Sequence, residues 1–465
     1  MSPTSAHMSR AGSGSNRQPA PSDIALAEQS VPRYTSYPTA PHFSQAVSAG
    51  TYRSWLKSQS PCATLSLYIH VPFCQAMCAY CGCNTKVVRR EEPLEAYRDR
   101  LMREIDMVAA STMARRVTHI HWGGGTPSML GLTRIIEVVE RIAQRFDLSG
   151  LIEHAVELDP RQVTDQLATG LKAIGVTRAS LGVQDLNEHV QKAIGRVQPL
   201  ETVAAATQAL RDAGIEAINI DLMYGLPTQT EADISRTIGL AESLAPDRIA
   251  LFGYAHVPWF KSHQKLIREE DLPSATERMT QAQVARDAFL ALGYEPIGLD
   301  HFARAHDPMA IAARAGELRR NFQGYTVDNA DTLLGLGASA IGSLPQGYVQ
   351  NAPDFGAFNR AIDANEFATV RGYALNADDR LRALVIEKLM CGLEVDLDGI
   401  ADRFGAPSSE FHSSLERIEP LESAGLVHVS GHRLQVTERG RPFVRLVAAA
   451  FDAHLSSAAR HSAAI

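Results

Sequence analysis

The sequence predicts an α/β fold, a full or partial (β/α) barrel followed by a small, mainly helical, winged-helix-like domain. Short apolar segments alternate with amphipathic segments at intervals of about 30 residues, the pattern of βαβ units in a parallel sheet. No glycine-rich dinucleotide motif follows the first apolar segment, so a barrel is favoured over a doubly wound nucleotide-binding fold. The last ~90 residues change to helices followed by a hairpin.

The barrel is predicted from seven apolar segments and the helices between them. We predict strands at 65–70, 118–122, 154–158, 178–183, 217–222, 248–254 and 295–299. Apolar residues recur at helical spacing within 95–109, 132–145 and 203–213. Because strand–helix–strand connections are almost always right-handed, we expect these units to form one parallel sheet.

The chain divides into three parts. Residues 1–30 are rich in Ser, Gly, Pro and Ala and contain few large apolar side chains, so we expect a disordered tail. Residues 31–370 are assigned to the barrel with an N-terminal extension. Residues 371–465 are assigned to the C-terminal domain, with helices at 377–392, 397–404 and 408–424 and a hairpin at 426–437.

The composition excludes several classes of protein. No apolar run approaches the ~18 residues that a membrane-spanning helix needs. The net charge of −7 argues against electrostatic binding of nucleic acid, and 6 cysteines are too few for a disulfide scaffold. The C-terminal domain has 13 acidic and 10 basic residues from 377 onward, so it is expected to cover the substrate or pack on the barrel. We therefore expect a cytoplasmic, monomeric protein without a nucleic-acid partner.

Four of the cysteines lie in one loop directly after the first predicted strand: Cys74, Cys78, Cys81 and Cys83. A structural zinc site normally uses two separated pairs of ligands, and a disulfide is unexpected in a chain without secretory features. Clustered thiolates in one loop suit an iron–sulfur cluster, and C-x3-C-x2-C leaves one iron without cysteine if Cys83 stays free. The isolated Cys62 and Cys391 are expected to be buried or free thiols.

Polar or glycine residues also follow the predicted strands, where the chemistry of a (β/α) barrel collects. They are Gly123, Gly124, Gly125, Thr126, Glu157, Gln184, Asp221 and the stretch 254–256. A glycine triplet permits close approach of a ligand to the backbone, although it is also compatible with a tight turn. Single carboxylates at strand ends can be helix N-caps, which is our interpretation of Asp159.

The cysteine spacing, with Tyr80 just before the third cysteine, resembles the radical S-adenosylmethionine superfamily. The resemblance implies that Cys74, Cys78 and Cys81 hold a [4Fe–4S] cluster. It also implies that the open iron binds the amino and carboxylate groups of S-adenosylmethionine.

A more specific resemblance covers the chain from about residue 31 into the C-terminal domain. The chain is similar to the oxygen-independent coproporphyrinogen III oxidases (dehydrogenases) of haem biosynthesis in the segments VPRYTSYPTA (31–40), YIHVPFC (68–74), CGCN (81–84), HWGGGTPS (121–128), VELDP (156–160), LGVQD (181–185), NIDLMYGLPTQT (219–230), YAHVP (254–258), LDHFA (299–303), NFQGYT (321–326) and GASAIG (337–342). Cys83 and the stretch 33–38 favour these enzymes over the haem chaperones of the same superfamily. A haem chaperone remains the alternative.

The resemblance implies two molecules of S-adenosylmethionine. The first would be contacted by Tyr68, Gly124, Glu157 and Ile341. The second would be contacted by Tyr80, Gly125, Thr126, Gln184, Arg196, Asp221 and Ala255. These residue types suit the ligand, since carboxylates accept hydrogen bonds from a ribose diol or ammonium and a guanidinium binds a carboxylate in two places.

The implied reaction is the oxidative decarboxylation of two propionates of coproporphyrinogen III to the vinyl groups of protoporphyrinogen IX. A 5′-deoxyadenosyl radical would remove hydrogen from the propionate β-carbon, so no protein acid or base is expected. A flavodoxin or ferredoxin is expected to supply the electron. The anionic propionates should meet arginines or lysines, and Arg33 is a candidate.

Overall fold

The computed structural model describes residues 21–455. The strands are β1 (Thr64–Val71), β2 (Phe73–Cys74), β3 (Lys86–Val87), β4 (Arg116–Gly124), β5 (Glu153–Leu158), β6 (Arg178–Gln184), β7 (Ala217–Tyr224), β8 (Arg248–Gly253), β9 (Glu295–Ile297), β10 (His301–Ala303), β11 (Arg319–Asn321), β12 (Gly324–Thr326), β13 (Thr332–Leu336), β14 (Ile341–Leu344), β15 (Gly347–Asn351), β16 (Thr369–Ala374), β17 (Glu394–Asp396), β18 (Val427–Ser430) and β19 (Arg433–Val436).

The α-helices are α1 (Pro21–Ala27), α2 (Ala49–Lys57), α3 (Glu92–Ser111), α4 (Leu132–Arg145), α5 (Asp165–Ala173), α6 (Glu188–Ala193), α7 (Leu200–Asp212), α8 (Glu231–Glu242), α9 (Ala275–Ala291), α10 (Pro308–Arg314), α11 (Phe355–Asp363), α12 (Ala377–Gly392), α13 (Leu397–Phe404), α14 (His412–Ser423) and α15 (Val444–Ala449). Capping boxes set the starts of α8 and α9, where Thr230 pairs with Asp233 and Ser274 with Glu277. None of these helices is both long and apolar enough to span a bilayer.

One 12-stranded sheet forms the main body, in the order β16-β15-β14-β13-β1-β4-β5-β6-β7-β8-β10-β9. The seven neighbouring strands from β13 to β8 pair in parallel, and the strands outside them pair antiparallel. The order is open, with β16 and β9 at its two edges, which confirms the predicted partial (β/α) barrel. Parallel pairing brings the carboxyl ends of the central strands to one rim, where the predicted site residues lie.

Six of the seven predicted strands lie in the parallel core, and the seventh does not. The segment predicted at 295–299 is the three-residue β9, antiparallel to β10 at the sheet edge. Pro296 explains this position, because proline has no N–H to donate within a central strand. The seventh parallel strand is β13, which we did not predict.

The C-terminal domain has helices α12 to α14 and a three-stranded sheet in the order β17-β19-β18. The predicted hairpin is therefore present, with a third strand added from 394–396. The predicted boundary at 370/371 is wrong, because it falls inside β16, which pairs with β15 of the main sheet.

The predicted disordered tail extends too far. Residues 1–20 lie outside the described part of the chain, but residues 21–27 form helix α1. Its Ala27 belongs to the apolar core of the C-terminal domain, together with Val31, Tyr34 and Tyr37 of the N-terminal extension. This segment is ordered because the C-terminal domain supplies the apolar surface that its own sequence lacks.

Candidate active site

The cysteine loop follows β1 and is held from both sides. The backbone N–H of Ala79 donates to the carbonyl of Ile194 at 2.9 Å. The side chains of Lys261, His263 and Gln264 contact the carbonyls of Cys83, Cys81 and Tyr80 at 2.8, 2.6 and 2.8 Å. The segment after β8 therefore fixes the loop that carries the thiols.

Each of the three motif cysteines has a hydrogen-bond donor at its sulfur. The hydroxyls of Thr85 and Thr126 donate to Cys74 Sγ at 3.0 and 3.7 Å. Arg196 Nη1 lies 3.6 Å from Cys78 Sγ. Donors at sulfur stabilise the thiolate, which is the form that binds metal.

The environment of Cys81 favours its thiolate form. Hydrogen bonding with Cys83 lowers the pKa of Cys81 to about 6, although burial opposes the shift. The backbone N–H of Cys83 also donates to Cys81 Sγ at 3.4 Å. Cys83 is exposed and contacts Cys81, and we do not assign it as a ligand. Cys62 is exposed and Cys391 is buried in a separate apolar cluster with Tyr325, as expected of free thiols.

These thiols fit a cluster better than a single ion. Within residues 21–455, no three His, Cys, Asp or Glu side chains are arranged to hold one metal ion. An iron–sulfur cluster presents a different iron to each thiolate, so its ligands do not have to converge on one point. The Nε of Arg196 is buried beside Cys78 without a hydrogen-bond partner in the described chain, which is consistent with a missing acceptor at this site.

Glu157 at the end of β5 is held as a carboxylate. His121 Nε2 lies 3.1 Å from Glu157 Oε1, and the N–H of Gly124 donates to Oε2 at 3.2 Å. Burial opposes ionisation, but His121 outweighs it and lowers the pKa of Glu157. The same contact raises the pKa of His121 against its burial.

Close steric contacts require glycine in the triplet 123–125. Gly124 has φ = +111°, and a Cβ there would lie 2.6 Å from the His70 ring. A Cβ on Gly125 would lie 2.5 Å from the carbonyl of Phe73. Only glycine lets this strand end pass so close to β1 and the cysteine loop. Thr126 continues the contact, since its N–H donates to Phe73 O at 2.8 Å.

Asp221 in β7 is the second carboxylate of the barrel interior. Ser180 Oγ donates to it at 3.1 Å, and Asn219 Nδ2 donates at 2.7 Å. Burial, with the nearby charge of Glu157, raises the pKa of Asp221 to about 6. The two carboxylates therefore titrate in different ranges within one cavity.

Arg196 follows α6 and is already engaged. Its Nη1 lies 3.2 Å from Asp159 Oδ2, and its Nη2 donates to the carbonyl of Gly182 at 2.7 Å. Asp159 also caps the turn that follows it, as predicted, by accepting from the N–H of Arg161. Gln184 has φ = +69° at a bulge in β6, two residues after Gly182, whose carbonyl accepts from Arg196.

The remaining predicted residues surround the same rim. Tyr68 OH lies 3.0 Å from His70 Nδ1, and its ring stacks on His121. Tyr80 packs in an apolar cluster with Tyr254, next to Ala255. Ile341 begins β14, beside the strand that pairs with β1.

Three contributions were missed by the sequence analysis. His70 and His121 orient Tyr68 and Glu157, and the segment 261–264 supports the cysteine loop. His70 lies in YIHVPFC, two residues after Tyr68, and His121 begins HWGGGTPS. Their positions at or near the ends of predicted strands could have indicated that they belong to the site. The support from 261–264 had no local signal, because it depends on a contact across more than 170 residues.

A cavity of about 1150 Å³ opens beside these residues. It reaches Cys83 of the cysteine loop and Ala255 after β8. Its wall is completed by Arg33 and Thr35 of the N-terminal extension and by residues 438–445 of the C-terminal domain. Small-molecule sites usually measure ~300–1,000 Å³, so this cavity suits a large ligand.

Comparison with known proteins agrees with this arrangement. The family model of the radical SAM superfamily matches residues 68–241, and that of the HemN C-terminal domain matches residues 375–443. Relatives named oxygen-independent coproporphyrinogen III oxidase are 49% identical over 95% of this chain and 99% of the relative in Bradyrhizobium diazoefficiens. The corresponding values for Paracoccus denitrificans are 43%, 95% and 98%.

The solved structure of coproporphyrinogen III oxidase from Escherichia coli, described as a radical SAM enzyme, superposes with a TM-score of 0.87. Its sequence is 36% identical, and the match covers 92% of this chain and 100% of that one. Radical SAM enzymes use a [4Fe–4S] cluster and S-adenosylmethionine, and the cysteine loop and its donors fit that requirement. The chain belongs to the family of oxygen-independent coproporphyrinogen III oxidases.

Proposed function

We propose that the chain oxidatively decarboxylates two propionates of coproporphyrinogen III to the vinyl groups of protoporphyrinogen IX without oxygen. The observation that carries this proposal is that the cysteine loop and the barrel rim reach the same cavity. Cys83 and Ala255 bring the cysteine loop and the barrel rim to a cavity of about 1150 Å³. The same cavity is lined by seven arginines, which suits a large polycarboxylate.

Cys74, Cys78 and Cys81 would hold the cluster. When bound, the cluster and S-adenosylmethionine supply a 5′-deoxyadenosyl radical, which can remove hydrogen from an unactivated carbon. We assign the first molecule of S-adenosylmethionine to Tyr68, Gly124, Glu157 and Ile341. We assign the second to Tyr80, Gly125, Thr126, Gln184, Arg196, Asp221 and Ala255.

The chain itself contributes orientation and charge. Glu157, kept ionised by His121, accepts hydrogen bonds from hydroxyl or ammonium groups of the first molecule. Arg196 bridges Asp159 and Cys78 and so ties the loop to the strand ends. No general acid or base is assigned, because removal of a hydrogen atom, followed by loss of CO₂ and of one electron to an electron acceptor, moves no proton to the protein.

The N-terminal extension and the C-terminal domain would limit the access of water to the reacting centre. Arg33 and Thr35 of the extension and residues between 438 and 445 of the C-terminal domain line the cavity. This arrangement supports a covering role for the C-terminal domain. We also propose that the enzyme acts as a cytoplasmic monomer and that a flavodoxin or ferredoxin delivers electrons.

Anaerobic turnover tests the proposal directly. The full chain, reconstituted with iron and sulfide, is incubated with coproporphyrinogen III, S-adenosylmethionine and dithionite, and products are separated by chromatography. We expect protoporphyrinogen IX and 5′-deoxyadenosine. Stoichiometric haem binding with no decarboxylated product would instead favour a haem chaperone.

A further inference from the structure

The large cavity concentrates positive charge in a chain whose net charge is −7. Seven arginines line it, against four carboxylates and no lysine. Two of the four carboxylates form salt bridges with arginines of the cavity. Glu438 pairs with Arg286 and Arg441, and Asp23 pairs with Arg439 at 2.6 Å.

Three other arginines of the cavity have no such partner. Within residues 21–455, the guanidinium groups of Arg33, Arg278 and Arg320 form no salt bridge with a carboxylate, although the backbone N–H of Arg320 donates to Glu387 Oε1 at 3.4 Å. Arg278 donates to the carbonyl of Tyr254 at 2.8 Å, and Arg33 donates to that of Gly253 at 3.4 Å. We call Arg33, Arg278 and Arg320 the arginine triad.

The hydrogen-bonding capacity of the triad is incompletely used. Arg320 lies 4.4 Å from the centre of the Tyr325 ring, and its Nη2 donates to the carbonyl of Arg33 at 3.4 Å. Its Nε and Nη1, and the Nε of Arg278, are buried with no hydrogen-bond partner among the described residues. Buried donors without acceptors are costly, so a site of this kind favours an anion.

The guanidinium charges that line the cavity also affect one another's pKa values. Burial lowers the pKa of Arg278, and nearby Arg33 adds to the effect. Arg320 differs, because Tyr325 and Asp300 outweigh burial and raise its pKa. Burial and Arg33 together lower the pKa of Arg445, the next cation along the wall, to about 10. A bound carboxylate would relieve this crowding of like charges.

The triad lies between the cofactor rim and the closed end of the cavity. Arg278 contacts the carbonyl of Tyr254, the residue before Ala255, and so borders the proposed second S-adenosylmethionine site. Arg320 lies on β11, towards Asp300 and Tyr325. Aromatic side chains that a macrocycle could pack against line the same space: Tyr224, Phe252, Trp259, Phe322 and Phe443.

We propose that the arginine triad binds substrate propionates other than the one that is reacting, and so places the reacting side chain at the cofactor rim. This inference rests on the proposed function and deepens it by assigning specificity-determining residues. Four propionates on one macrocycle supply enough carboxylates to engage the triad while one propionate faces Ala255. The triad thereby selects a polycarboxylate tetrapyrrole and sets its orientation.

Binding of a stable substrate analogue tests the triad apart from turnover. Coproporphyrin III, which carries the four carboxylates, and its tetramethyl ester, which carries none, are titrated into the full chain under anaerobic conditions and followed by fluorescence. The variants are Arg278→Gln and Arg320→Gln. Arg319→Gln is the matched control, since Arg319 neighbours Arg320 but pairs with Glu387 at 3.0 Å and does not line the cavity.

We expect each triad variant to bind coproporphyrin III about tenfold to a hundredfold more weakly, the effect of losing one charge-assisted hydrogen bond. Binding of the ester should be unchanged, as should iron content and S-adenosylmethionine affinity. Arg320→Lys should restore part of the affinity, because charge remains while the planar fork is lost. Arg319→Gln should bind like the wild type.

Two results would overturn the assignment. One is wild-type affinity for coproporphyrin III in both glutamine variants. The other is an equal loss for acid and ester, which would indicate a structural role for the arginines. A wild-type chain that binds coproporphyrin III through the triad but does not decarboxylate coproporphyrinogen III would refute the proposed function and leave the triad standing.

Discussion

Arg196 Nη1 lies 3.6 Å from Cys78 Sγ and so connects the cysteine loop to the barrel rim. The same nitrogen lies 3.2 Å from Asp159 Oδ2. Arg196 therefore has a carboxylate on one side and a sulfur on the other before any ligand binds. Its substitution is expected to disturb the cluster as well as the second S-adenosylmethionine site, whereas substitution of Asp221 should affect only the latter.

Counting bound S-adenosylmethionine separates these roles. Asp221→Ala should weaken one of two sites by about tenfold to a hundredfold, because a charge-assisted hydrogen bond to the ligand is lost. Equilibrium dialysis with labelled ligand gives the stoichiometry, and iron analysis serves as the control. Arg196→Ala should lower both the number of bound S-adenosylmethionine molecules and the iron content. Two sites of wild-type affinity in Asp221→Ala would require a structural role for that carboxylate.

The cysteine assignment is tested by iron content. Serine variants of Cys74, Cys78 and Cys81 should each lose the cluster, since each removes one thiolate ligand. Cys62→Ser and Cys391→Ser are the matched controls, because neither lies in the loop. Anaerobic reconstitution is followed by iron analysis and absorbance near ~400 nm. Full iron in Cys78→Ser would contradict the assignment.

Asp221 should make stability depend on pH in a defined direction. Its pKa is raised from 3.8 to about 6 in the folded chain, so the native state binds a proton that the unfolded state releases. The free energy of unfolding should therefore fall as pH rises from about 4 to about 6. Asp221→Asn removes this penalty, up to about 3 kcal/mol at neutral pH for a shift of this size.

Thermal unfolding of wild type and Asp221→Asn across this range is the measurement. The variant should melt at higher temperature above pH 6, and the difference should disappear below pH 4. A difference that does not vary with pH would exclude titration of this carboxylate as its origin.

Gly124 should tolerate no side chain. Gly124→Ala places a Cβ at φ = +111° and 2.6 Å from the His70 ring, so the strand end must move relative to His70 and its hydrogen bond to Glu157 should be disturbed. We expect lower thermal stability and weaker S-adenosylmethionine binding. Gly239→Ala is the control, because Gly239 lies within α8 with nothing within 4 Å of the added carbon, and alanine favours a helix. Equal behaviour of the two variants would contradict the steric argument.

Much of the fold could be predicted because the central parallel strands carry apolar residues that are buried at successive or alternate positions, and amphipathic helices separate these strands. Strand β13 was not predicted because Thr332–Leu336 is short and follows an irregular segment. Its identity as a barrel strand depends on pairing with β1, about 267 residues earlier. The edge position of β9 could have been inferred from Pro296.

The site was predictable where its chemistry is local in sequence. The cysteine loop and the glycine triplet have fixed spacings, and structure places Gly124 against Glu157. Of the arginine triad, only Arg33 was predicted from the sequence. The three members come from segments more than 40 residues apart, so no local pattern connects them. Only tertiary folding brings them to one cavity.

The N-terminal extension and the C-terminal domain both line the cavity, and their separation in sequence bears on the order of folding. Tyr34 OH donates to Asp452 Oδ2 at 3.0 Å, a contact between residues 418 positions apart. The N-terminal extension is synthesised long before the segment that contains Asp452, so this contact cannot form until that segment has also been synthesised. Contacts of such long sequence separation form late in folding. We therefore expect the barrel to be able to accept its cluster before the C-terminal domain completes the wall of the cavity.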